Sequence, residues 1–219
     1  VQTGCSKGSD GNLISPDVQV YNQAAPLAPA RALRVYEEAC SPHLAARQSG
    51  RSIDADRLAQ DLIASAMDFR VTVVETAGGL LSPLNDHECA LDVLAALPGS
   101  LRTKIALVVP NKLGAINQAR LGLEILKNRG LKAAGLIIAR TSAVNGPSSA
   151  QESLDTLILQ ENINFIRRAA QVDCLTEIPY FPALASSSDE IIKSAILNKA
   201  WAEMADLLRP AVDNLTAFT

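Results

Sequence analysis

The stretch TKIALVVPNKLGAINQARLGLEILKNRGLKAAGLIIAR, residues 103–140, decides the fold. It opens with TKIALVV (103–109), an apolar run without a break. Such a run predicts a strand buried on both faces. A helix is predicted over 116–128, where Leu121, Ile125 and Leu126 share one face and Arg129-Gly130 supplies the stop. LKAAGLIIAR (131–140) then reads as the next strand. Strand, helix and strand at this spacing make the unit from which parallel sheets are built.

The pattern extends in both directions. Residues 1–30 are rich in Gly, Ser, Asp and Pro and read as loop. SPHLAARQSG offers a helical turn capped by Ser41 with Pro42 at the first position. DADRLAQDLIASAMD places Leu58, Leu62, Ile63 and Ala66 at helical spacing, and RVTVVE (70–75) reads as a β-branched strand. Downstream, GPSSAQESLDTLILQENINFIRRAA holds a helix after a loop. VDCLTEIPYFPAL holds a short strand turning at Pro179, and a last helix spans 189–208 before Pro210. The fold class expected is α/β, a parallel sheet with helices on both faces, in one domain over 1–219. No internal repeat or linker divides it.

Composition bounds the function. With 219 residues, 48% apolar, the chain can bury a sizeable core, and at 4% aromatic that core must be mainly Leu, Ile, Val and Ala. A net charge of −3 has no basic excess for a phosphate backbone, which argues against nucleic acid as a partner. No apolar run reaches the roughly 18 residues of a membrane span, and no secretory signal opens the chain. Cys5, Cys40, Cys89 and Cys174 are scattered, so reduced thiols and a cytoplasmic location are expected rather than zinc or disulfides. His43 and His87 are too few for a histidine-based metal cluster; helix entry and surface exposure account for them.

In open parallel sheets ligands lie beyond the carboxyl ends of the strands. After 70–75 comes VVETAGGLLSPLND (73–86), with Glu75, Gly78 and Gly79; after 103–109 come Lys112, Gly114 and Asn117. After 131–140 come Arg140, Thr141 and Ser142, and after 174–178 come Pro179 and Tyr180. A carboxylate there suits Mg²⁺ held against phosphate oxygens, a lysine suits an anion, and glycines let backbone N–H groups approach a ligand.

VVETAGGLLSPLND resembles the Val-Glu-Gly-Ala-Gly-Gly…Pro-Leu motif of the dethiobiotin synthetase family. VVPNKLGAINQARLGLEILKNRGLKAAGLIIAR is similar to that family's Lys-Leu-Gly segment. VQTGC…DG…SPDVQVY…PLAP resembles its substrate loop, and SPHLAARQSGRSID and LTEIPYFPAL follow in the family's order. The resemblance implies a P-loop fold and an ATP- and Mg²⁺-dependent ligase of biotin biosynthesis. In that reaction 7,8-diaminopelargonic acid takes up CO₂ (from bicarbonate) as a carbamate. The carbamate oxygen attacks the γ-phosphate of ATP, and the second amine displaces phosphate and closes the ureido ring. Position by position, Asp17 and Glu75 fall on the Mg²⁺-binding carboxylates and Thr3 on a substrate-contacting hydroxyl. Gly78 and Gly79 fall on the glycine loop near the substrate. Lys112, Gly114 and Asn117 fall on the segment that approaches the substrate's carboxylate tail, partly across a homodimer interface. Pro179 and Tyr180 match a loop beside the nucleotide. Thr3 and Lys112 are the implied catalytic positions.

The family's P-loop, G-x-x-x-x-G-K-[ST], has no counterpart, since no Gly-Lys dipeptide occurs in the chain. The expectation is an N-terminally incomplete member whose first βα unit precedes Val1; the alternatives are a P-loop-less, non-catalytic or partner-dependent relative and a cobyrinate-type amide ligase. Thr76 replaces the family's glycine, and Ala139-Arg140 stands where an asparagine-containing pair recognises adenine, which leaves nucleotide preference open.

Overall fold

The structure is a computed structural model that describes residues 1–25, 27–141, 150–170, 172, 174–180, 209 and 213. It contains two compact units, Val1–Thr103 and Lys104–Thr219.

In the first unit the opening residues run beside 34–38. The Gln2 N–H donates to the Arg34 carbonyl at 2.7 Å, and the Tyr36 and Cys5 N–H groups donate to the Gln2 and Tyr36 carbonyls, each at 2.9 Å. A small antiparallel pair follows, β1 (Ser6–Lys7) and β2 (Leu13–Ile14). Helix α1 (Pro16–Ala24) then begins where the sequence reading expects loop. Its start is chemically specified: the Ser15 hydroxyl accepts from the Val18 N–H at 3.2 Å, and Pro16 takes the first position, where its missing N–H costs nothing.

Helix α2 (Pro42–Gln48) starts after Ser41 as expected, although the Ser41 side chain makes no capping bond. Helix α3 (Ala55–Ala66) matches the expected helix, and its cap Asp54 accepts from the Arg57 N–H at 2.7 Å. Helix α4 (Ala90–Ala95) ends the motif loop. Tyr36, Ala45, Ala46, Ile53, Leu58, Leu84 and Val93 make the core of this unit.

Residues 70–75, expected as a strand, are not one: among the described residues no strand pairs with them. Val73 is 92% exposed, and Val71 and Val74 are exposed beside it. β-branched residues favour a strand through the neighbours they pack against, and here no ladder partner supplies them.

In the second unit β3 (Ile105–Asn111), α5 (Ala115–Asn128) and β4 (Ala133–Arg140) reproduce the expected strand–helix–strand. Helix α6 (Ala150–Ala169) and β5 (Cys174–Ile178) complete a parallel sheet of order β3-β4-β5. Both α5 and α6 pack on β3 and on each other. Val109, Leu136, Ile138, Ile163 and Ile166 form the core, each such side chain contributing about 1.5–3 kcal/mol by leaving water. The expectation that residues 103–109 are buried on both faces needs correction. Val108 is 58% exposed while Val109 is buried, so β3 alternates instead of being covered throughout. The helix expected over 189–208 lies outside the described residues.

Candidate functional site

In the first unit the motif loop is shaped by its own side chains. Thr76, in the family's glycine position, donates from its hydroxyl to the Gly78 carbonyl at 3.0 Å. Gly78 has φ +78°, and a Cβ there would collide with the Ser82 hydroxyl, so the backbone requires glycine. Gly79 has open space where a Cβ would lie. Further on, the Asn85 side chain donates to the Ile53 carbonyl at 2.8 Å and to the Glu88 carboxylate at 2.6 Å. Its oxygen accepts from the His87 and Glu88 N–H groups, and the Glu88 carboxylate accepts from the Ala55 N–H at 3.0 Å, which docks the loop on the start of α3. The His43 N–H donates to the Pro83 carbonyl at 3.1 Å, in keeping with a helix-entry role, while its Nδ1 is buried with no partner among the described residues.

Asp17 and Glu75, far apart in sequence, come within electrostatic reach. Burial first, and the Asp17 charge second, hold the Glu75 carboxyl above the usual carboxylate range, although the residue as a whole is exposed. Asp17 lies in the first turn of α1, and one turn later Tyr21 donates its phenol to Glu75. Tyr21 was missed by sequence reading because α1 was read as loop; the Ser15-Pro16 cap was the available signal. Thr3 sits on the segment paired with 34–38, where its carbonyl accepts from the Gln2 side chain at 3.1 Å.

In the second unit the strands end at a common edge, with Asn111 in register with Arg140 and Ala139 with Ile178. A cleft of about 230 Å³ opens there, lined by Asn111, Ile138, Arg140, Glu177, Ile178 and Pro179. This is the carboxyl edge, where such sheets bind ligands. It is smaller than the roughly 300–1,000 Å³ of a whole small-molecule site, so it suits one part of a ligand. At its lip Glu177 is paired with Arg167 at 2.8 Å.

The β3–α5 junction carries Lys112, Gly114 and Asn117. Lys112 and Asn117 are exposed, and Gly114 caps α5 with φ +93°, a left-handed conformation that favours glycine. Behind the junction lie two amides to which the sequence reading assigned no role. Asn111 (2% exposed) and Asn162 (6%) are buried and bonded to each other, Asn162 Nδ2 to Asn111 Oδ1 at 3.1 Å. Asn111 ends β3 at the carboxyl edge, whereas Asn162 occupies no position where spacing signals function. Of the expected residues, Asp17 and Glu75 come together in the first unit. Lys112 and Gly114 share a turn in the second, and Pro179 joins the cleft with Tyr180 next to it.

Parallel strands, helices packed on them and a cleft at the carboxyl edge define a P-loop-like α/β protein, and a family model described as an AAA domain matches residues 1–188. The chain belongs to the dethiobiotin synthetase family. The ATP-dependent dethiobiotin synthetase BioD of Chromohalobacter salexigens is 32% identical over 186 residues, covering 84% of this chain and 76% of that protein. That of Cellvibrio japonicus (strain Ueda107) is 36% identical over 160 residues, 73% of this chain and 60% of the relative. That of Marinobacter nauticus is 32% identical over 165 residues, 74% of this chain and 64% of the relative. The chain thus spans between 60% and 76% of the lengths of these three relatives.

Proposed function

We propose that this chain provides the substrate- and metal-binding parts of an ATP-dependent dethiobiotin synthetase of biotin biosynthesis, acting as a homodimer in the cytoplasm. The observation that carries the reading is the approach of Asp17 to Glu75 beside the Gly78 loop, in a chain whose relatives bear that name. The Glu75 carboxyl, whose ionisation is disfavoured by burial first and by the Asp17 charge second, fits a divalent cation, which relieves the repulsion. Two protein ligands also suit Mg²⁺, which keeps water or phosphate oxygens in its other positions. Asp17 and Glu75 would hold it, and when bound it supplies charge neutralisation on the phosphates.

The remaining roles follow the same reading. Gly78 and Gly79 lie under the diamine, with Thr3 contacting the reacting end. Lys112, Gly114 and Asn117 take the carboxylate tail of 7,8-diaminopelargonic acid, where an exposed ammonium and backbone N–H groups face an anion. The cleft bounded by Pro179, with Tyr180 beside it, takes the base of ATP. Carbamate formation from CO₂, attack of the carbamate oxygen on the γ-phosphate and ring closure by the second amine then demand chiefly positioning and charge stabilisation. All 219 residues act as one domain on this reading.

The test is ADP release by the full-length protein. It should require both the diamine and bicarbonate; release that ignores the diamine overturns the proposal. Glu75→Gln should abolish most Mg²⁺-dependent turnover while leaving thermal stability near that of the parent. Equal losses of both would make Glu75 structural.

A further inference from the structure

We infer that Asn162, held together with Asn111, is a positioning residue for Lys112. The inference rests on the proposed role of Lys112 at the substrate tail. Lys112, Leu113 and Gly114 form an exposed turn, with Leu113 84% exposed. Its backbone is tied locally by the Lys112 N–H to the Pro110 carbonyl at 3.1 Å and the Ala115 N–H to the Lys112 carbonyl at 3.0 Å. These bonds reach only the adjoining ends of β3 and α5, and neither ties the turn to an element beyond those two.

Asn162 does. From the buried face of α6 its Nδ2 donates one hydrogen to the Lys112 carbonyl at 3.0 Å and the other to Asn111 Oδ1 at 3.1 Å. Asn111 Nδ2 in turn donates to the Leu159 carbonyl at 3.2 Å, one helical turn before Asn162. Both donors of the Asn162 amide are therefore used, and the last residue of β3 and the first of the turn are clasped to one helix. An asparagine pair that served only to fill this core could be replaced by apolar residues of like shape at little cost. The bond to the Lys112 carbonyl is what such a replacement would lose. A lysine side chain is long and free to rotate, so the place of its ammonium depends on how firmly its backbone is held. Asn111 also lines the neighbouring cleft, so one clasp sets both the cleft wall and the base of the lysine.

Asn162→Leu in the full-length protein tests this. Two measurements are read beside thermal stability: amide exchange of residues 111–117, and the steady-state constants for 7,8-diaminopelargonate. The expected result is faster exchange confined to the turn and an approximately tenfold rise in KM with kcat nearly unchanged, the pattern of lost substrate binding. Unchanged exchange in the turn overturns the inference, as does a general loss of stability without a local change. If the single variant does not fold, Asn111→Leu with Asn162→Leu removes both amides while keeping the core filled, and the same exchange result is expected. A loosened turn with an unaltered KM keeps the clasp and removes Lys112 from the substrate site. Absence of diamine-dependent ADP release in the parent enzyme overturns the proposed function alone, because the exchange measurement still decides the clasp.

Discussion

Glu75 feels two influences of the same sign. Burial of its carboxyl is the larger and the negative charge of Asp17 the smaller, and both push its pKa up. Since the folded pKa lies above that of the unfolded chain, the folded form holds its proton to higher pH. Stability from this group is present in acid and is lost as pH rises through the raised pKa. Asp17→Asn should therefore lower the Glu75 pKa only part of the way to the ordinary value, because burial remains. A carboxyl-carbon NMR titration of the two proteins reads the difference, and a complete return to the ordinary value would make Asp17 the main cause. The adjacent glycines divide as sharply. Gly78→Ala forces a Cβ into a left-handed residue and against Ser82, which should cost at least about 1–2 kcal/mol in thermal or denaturant unfolding. Gly79→Ala meets no atom and should leave stability within about 0.5 kcal/mol. If Gly79 lies under the diamine, its variant should still raise KM. At this scale the acids and glycines could be proposed from the sequence because the chemistry they would serve demands their types. Tyr21, Asn111 and Asn162 could not, because each acts through a contact between elements that sequence spacing does not encode.

Elements were legible in proportion to how much of their stability is local. The β3–α5–β4 unit was readable because its apolar runs, helical period and Gly130 stop agree with one another. Helix α1 was hidden by a polar composition, although Ser15, Pro16 and Asp17 together spell a helix start. Residues 70–75 mislead in the opposite direction, since the residue types favour a strand while the pairing that makes one comes from elsewhere in a sheet. Helix α3 allows a test of local encoding. Its Asp54 cap accepts the Arg57 N–H at 2.7 Å, and two of its residues, Arg57 and Asp61, also join an ion-pair group with Arg34. Asp54→Ala should cost about 1 kcal/mol, measured by chemical denaturation of the full-length protein, whereas Asp54→Ser should restore most of it. Equal losses in the two variants would mean that the negative charge, and not the capping bond, carries the effect.

At the scale of the molecule, the reading of one α/β domain meets a structure with two cores, one around Tyr36, Ile53 and Leu58 and one around Leu136, Ile138 and Ile163. Among the described residues no helix is long and apolar enough to cross a membrane. Whether the two cores belong to one cooperative unit is a thermodynamic question. Leu136 is fully buried, and Leu136→Ala removes three carbons from the second core, which should cost about 2–5 kcal/mol depending on how far the site collapses. In a single cooperative domain that loss is shared: the slowest-exchanging amides near Ile53 and Leu58 should lose the same free energy as those near Ile138 and Ile163. The one-domain reading expects this outcome in native-state hydrogen exchange of the full-length protein. Loss of protection around Ile138 and Ile163 alone, with Ile53 and Leu58 unaffected, would divide the chain into two independently stable units.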